Sequence, residues 1–146
     1  MKTIVFLLVV FSFVSCNNSE NIDKPVKAGE EFVFDMYKPS EMTLLMRSMY
    51  EVHEELKKEI LAGNTPDKFP KDFLNIYTAS LTDEKPKNEI FKAYSKVFID
   101  NERAIFNEIS KLPLKQRYNN AINTCISCHS TECVGPITRI EKLLIN

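Results

Sequence analysis

Cys125-Ile126-Ser127-Cys128-His129 sets two thiols and an imidazole at the spacing that covalent attachment of a c-type haem requires. The two cysteines can add across the two vinyl groups of a haem, and the histidine after them is placed to coordinate the iron from the proximal side. A chain with this motif has to bury a large flat ring beside the segment that carries it. Two other chemistries use similar residues. A thioredoxin-like dithiol wants a βαβ context with the first cysteine at a helix start, and no strand pattern surrounds Cys125. A structural zinc site needs four ligands, and Cys133 would complete a set with Cys125, Cys128 and His129. Those four fall within nine residues, tighter than the usual two separated ligand pairs. One covalently bound haem c is therefore the cofactor expected.

The N-terminus points to the compartment that such a haem needs. Met1-Lys2 precedes the apolar run Ile4 to Val14, too short to span a bilayer and shaped like a secretory signal. Phe13-Val14-Ser15-Cys16 closes it. A small residue before a cysteine at that point resembles the lipobox of bacterial lipoproteins, which implies cleavage after residue 15 and lipidation of Cys16. An ordinary signal peptide with a coincidental cysteine is the alternative. Either way the chain is exported, to the periplasmic side of a membrane or to the cell surface. Haem of c type is attached outside the cytoplasm in bacteria, so both features demand one location.

Without residues 1–15, about 131 residues remain, which suits one domain with a single core. The 19 Lys and Arg against 20 Asp and Glu leave no basic stripe of the kind nucleic acid requires. Residues 16–37 read as a polar tether with a leading arm, Glu31-Phe32-Val33-Phe34, and residues 38–146 as the haem-binding domain. Of the four cysteines, haem would consume two and lipid one. Cys133 is left over, either buried as a small hydrophobe or paired with another molecule.

From Pro39 onward the pattern is helical, so the fold class expected is all-α. Ser40 is the expected N-cap of a first helix, with Met42, Leu45, Met46, Met49, Val52, His53, Leu56 and Ile60 on one stripe. Gly63 and Asn64 end it. A shorter helix follows around Lys71 to Ser80. A third spans about Pro86 to Leu112, its stripe being Ile90, Tyr94, Val97, Ile105, Ile109 and Leu112. A fourth runs from Leu114 to about His129, with Leu114, Tyr118, Ala121, Ile122, Cys125 and His129 on one face, so Cys125, Cys128 and His129 project inward together. Beyond Gly135-Pro136, Ile137, Ile140, Leu143 and Leu144 suggest a terminal helix.

A haem motif late in the last of four helices resembles the cytochrome c′ family, including its low-spin members. The resemblance covers about residues 38 to 130 and is carried by Lys38-Pro39-Ser40-Glu41, Leu114-Lys115 and Cys125-Ile126-Ser127-Cys128-His129. It implies an antiparallel four-helix bundle with an extra C-terminal helix here. It also implies that the distal residue lies about ten positions after the proline that opens the first helix. That count reaches Met49, with Met46 a turn earlier. Family members with Leu or Phe there keep a five-coordinate iron and bind nitric oxide or carbon monoxide, whereas members with methionine transfer electrons. A soft thioether is a good ligand for an open iron position. All three methionines of the stripe, Met42 included, are alternatively core filler. His53 reads as a core histidine more than a ligand. Arg47, Arg117 and Arg139 are candidates for a haem propionate, or solvated surface.

The expected function is thus a lipid-anchored monohaem cytochrome c that passes single electrons to and from redox partner proteins. A five-coordinate gas-binding protein is the alternative, and a docking module of a larger complex is a third reading. No nucleophile-base pair, carboxylate pair or nucleotide loop suggests an enzyme. No nucleic-acid partner is expected, the membrane is reached through the lipid, and a homodimer is left open.

Overall fold

A computed structural model describes residues 38–82 and 86–146. The signal segment, Cys16, the tether and the leading arm lie outside them. The described residues are all helical, without a strand. Helix α1 spans Glu41–Leu61, α2 Glu89–Ile105, α3 Leu114–Glu132 and the short α4 Ile137–Ile140. A 3₁₀ segment, Lys71–Tyr77, stands between α1 and α2, and another, Glu141–Leu143, continues α4.

Local chemistry sets the ends of α1. The Ser40 hydroxyl accepts from the Thr43 amide at 3.2 Å, satisfying one of the free first-turn donors, and Glu41 sits at the positive end of the helix dipole. The Glu41 carboxylate also receives the Ser80 amide and hydroxyl at 2.9 and 2.8 Å, which pins the chain after the 3₁₀ segment to the start of α1. Gly63, at φ 82°, takes the left-handed turn that ends the helix, a conformation costly for a residue with a Cβ.

The element expected as a second helix is a 3₁₀ segment of seven residues, Lys71–Tyr77. Pro70 precedes it without a side-chain cap, and the segment is held by what it buries. Phe73, 1 % exposed, stacks on Phe98 of α2 at 5.9 Å, and Ile76 packs beside it. The third helix ends at Ile105, short of the expected Leu112, because Arg117 closes it. The buried Arg117 guanidinium donates to the carbonyls of Ala104, Ile105, Asn107 and Leu112 at 2.7 to 3.1 Å, which takes up orphan acceptors at the negative end of α2. Arg117 is therefore buried in the turn and not solvated surface. The inward stripe of α2 also corrects the expected one. Phe91, Ser95, Phe98, Ile99, Glu102 and Ile105 are buried, while Ile90, Val97, Ile109 and Leu112 are exposed. Phe91 and Phe98 hide more apolar surface than the β-branched residues beside them, so they win the interior.

Two apolar clusters result. One joins Met42, Leu45 and Met49 of α1 to Phe73, Ile76, Phe91 and Phe98. The other joins Leu56, Ile105, Tyr118, Ala121 and Ile122 to Ile140, Leu143 and Ile145 of the C-terminal segment. Cys125 packs against both. The segment is clamped by Asn119, whose amide group exchanges two hydrogen bonds with Ile145 at 2.8 and 3.0 Å, and by Lys57, which donates to the carbonyls of Lys142 and Leu144. Helices α2 and α3 pack closely along their backbones, whereas α1 reaches them through side chains. Among the described residues no helix is long and apolar enough to cross a membrane.

Candidate haem-binding cleft

Helix α3 carries Cys125, Cys128 and His129 on the side turned toward α1 and α2, as spacings of three and four residues require. All three line one cleft. Met46 and Met49 of α1 line it too, with Ile76, Tyr94, Ser95, Phe98 and Thr124 completing the wall. The structure thus brings together every residue expected as a haem ligand or attachment point within the described region. Met49 is buried and Met46 half-buried.

His129 is held in a defined tautomer. Its Nδ1 lies 2.9 Å from the Cys133 carbonyl oxygen, which can only accept, so Nδ1 carries the hydrogen and Nε2 keeps the lone pair. A ligating imidazole needs that arrangement, with the second nitrogen fixed by an outer partner. Cys133 contributes through its backbone, and its side chain is exposed, not buried as one expectation held. Its thiol is not gathered with Cys125, Cys128 and His129, and no cluster of three or more His, Cys, Asp or Glu suited to a metal ion occurs among the described residues.

Burial pushes the Cys125 thiol well above its ordinary pKa, and the charges of Glu102 and Cys128 add to the shift. Cys128 is raised as well, first by burial and then by the charge of Glu132. Both thiols therefore stay protonated and poorly nucleophilic at neutral pH. In the haem-free chain from residue 17 onward, iodoacetamide at pH 7.5 should label Cys133 at least tenfold faster than Cys125. Equal rates at the three cysteines, read by peptide mass spectrometry, would contradict this burial.

Sequence reasoning missed a buried polar cluster beside the cleft. One turn beyond Met49, the buried His53 turns Nδ1 to the Met49 carbonyl at 2.6 Å and Nε2 to Glu102 Oε1 of α2 at 2.8 Å. Nδ1 must donate to the carbonyl, so Nε2 and Oε1 hold one further proton as a unit. Burial is the largest influence on His53 and opposes its charge. The charge and hydrogen bond of Glu102, with the Met49 carbonyl, outweigh it and hold the pKa above the ordinary value. Tyr118 of α3 donates its hydroxyl to the His53 carbonyl at 3.0 Å, and burial, then the Glu102 charge, drives the phenol pKa upward. The only local sign was a histidine on an apolar stripe, because Glu102 lies 49 residues away.

The donor set suits a c-type haem: two thiols, one imidazole with a free Nε2, and two thioethers facing a wall that is otherwise largely apolar. The cleft encloses about 40 Å³, the space of a few water molecules, so a macrocycle requires its walls to part. Comparisons with protein-family models, with curated proteins and with solved structures found no match to this chain.

Proposed function

We propose that this protein is an exported monohaem c-type cytochrome that carries single electrons, similar in plan to the four-helix bundles of the cytochrome c′ family. The observation that carries the reading is the convergence of Cys125, Cys128, His129, Met46 and Met49 on one cleft from two helices, the residues on one lying at least 76 positions from those on the other. When bound, haem supplies a one-electron iron couple. Cys125 and Cys128 would hold it by adding their S–H bonds across its two vinyl groups, and His129 would ligate through Nε2. Met49 or Met46 would take the opposite face. Ile76 and Phe98 line the cleft and would exclude water from the haem, and a thioether ligand in such a setting would raise the reduction potential. Because Cys125 and Cys128 would hold the ring on α3, α1 would have to pack against it for the cleft to accommodate it. Cys16, as the lipidated N-terminus, would tether the protein to the membrane, leaving the domain free to meet redox partner proteins.

The test is expression of the full chain with a c-type maturation system. Haem stain should stay with the polypeptide through denaturing electrophoresis, and Cys125→Ala with Cys128→Ala should abolish it. A parent whose stain is lost on denaturation, or one that carries stoichiometric zinc instead, would end this reading.

A further inference from the structure

Three helices meet at His53. The imidazole binds the Met49 carbonyl of its own helix, α2 supplies Glu102, and α3 supplies the Tyr118 hydroxyl to the His53 carbonyl. Each of the three residues is at most 1 % exposed. Among the described residues the bonds to Glu102 and from Tyr118 are the only hydrogen bonds that α1 makes to α2 or α3, and apolar clusters surround them. Glu102 Oε2 has no hydrogen-bond partner among the described residues. Such a buried carboxylate is costly, and a well-packed apolar pair would serve stability at least as well. What the pair supplies is register, because its hydrogen bonds have fixed length and direction.

The register matters at the cleft. Widening it would move α1 away from α3, and His53 is where hydrogen bonds tie α1 to α2 and α3. Displacement grows with distance from that tie, which along the helix is about 6 Å for Met49 and about 10 Å for Met46. Resting on the haem reading above, we propose that His53, Glu102 and Tyr118 are positioning residues that anchor α1 and keep Met49, rather than Met46, at the distal face of the haem. The residue nearer the anchor stays within reach when the walls part, and the farther one swings out with the start of the helix.

The haem-loaded full chain tests this with Glu102→Leu, which removes the partner of His53 Nε2, and Tyr118→Phe, which removes one hydroxyl. Haem content and far-ultraviolet circular dichroism should stay parental. Carbon monoxide should associate with the ferrous protein at least tenfold faster in Glu102→Leu, with a high-spin fraction in the ferric spectrum, and several-fold faster in Tyr118→Phe, whereas Glu102→Gln, whose amide can still donate to Nε2, should stay near the parental rate. In a Met49→Leu background, Glu102→Leu should add nothing to the carbon monoxide rate. If Glu102→Leu fails to fold, Tyr118→Phe alone decides. Variants that melt at lower temperature but keep the parental spin state and carbon monoxide rate would reduce the cluster to a structural role and overturn the proposal. A parent with covalent haem that is high-spin at the outset would overturn it while leaving the cytochrome reading intact. A parent without haem would overturn both.

Discussion

Arg117→Ala should lower the free energy of unfolding by about 3 kcal/mol, the scale set by charged hydrogen bonds at about 1.5–3 kcal/mol each and by the non-additivity of bonds to one group. Arg117 is 7 % exposed, and its guanidinium serves four carbonyls at the end of α2 and in the turn leading to α3. Alanine leaves those acceptors without the donor that replaced water. It also removes a positive charge from the negative end of α2, worth up to about 1 kcal/mol more. Arg117→Lys should recover less than half of the loss, because one ammonium cannot reproduce a planar fork across four acceptors. Urea unfolding of parent and variants in the same cofactor state measures both. A loss below about 1 kcal/mol for Arg117→Ala would show that the turn finds other donors and that Arg117 does not end the helix.

Arg117 also shows where reading the chain by pattern stops. The start of α1 was legible, because a Ser N-cap with Glu behind it is local chemistry that acts within one turn. So was the gathering of Cys125, Cys128 and His129 on one face, which follows from helical spacing alone. The inward stripe of α2 was not. Ile90, Tyr94 and Val97 run beside Phe91, Phe98 and Ile105 with the same period, and periodicity cannot choose between neighbouring stripes. The true stripe also contains Ser95 and Glu102, which count against burial until their partners are known. Ser95 bonds back to the Phe91 carbonyl, a local remedy, but Glu102 is satisfied by His53 from another helix. Contacts between residues far apart in sequence explain these differences. Arg117 looked like a surface charge, His53 read correctly as a core histidine but with its partner unnamed, and the second helix became a 3₁₀ segment because Phe73 and Ile76 are placed by the core they cover.

Met49→Leu, in the haem-loaded protein, should convert a low-spin iron to a largely high-spin one, lower the reduction potential and open the site to carbon monoxide. A neutral sulfur donor stabilises ferrous iron relative to ferric, so its loss moves the potential down. Leucine fills nearly the same volume without a donor atom, and a Met to Leu exchange in a packed core costs on the order of 1 kcal/mol or less, so the spectral change would not come from unfolding. Met46→Leu is the matched control. Both methionines line the cleft, but Met49 is 5 % exposed, within the apolar cluster, whereas Met46 packs on that cluster from outside. Met46→Leu should therefore leave spin state and carbon monoxide binding at the parental level. The opposite pattern would make Met46 the ligand and remove the reason for the His53 anchor. If neither exchange alters the spectrum and the parent binds carbon monoxide at once, both methionines are packing residues. The same cleft, with His129 on one face of the iron and no ligand on the other, would then be that of a five-coordinate gas-binding protein.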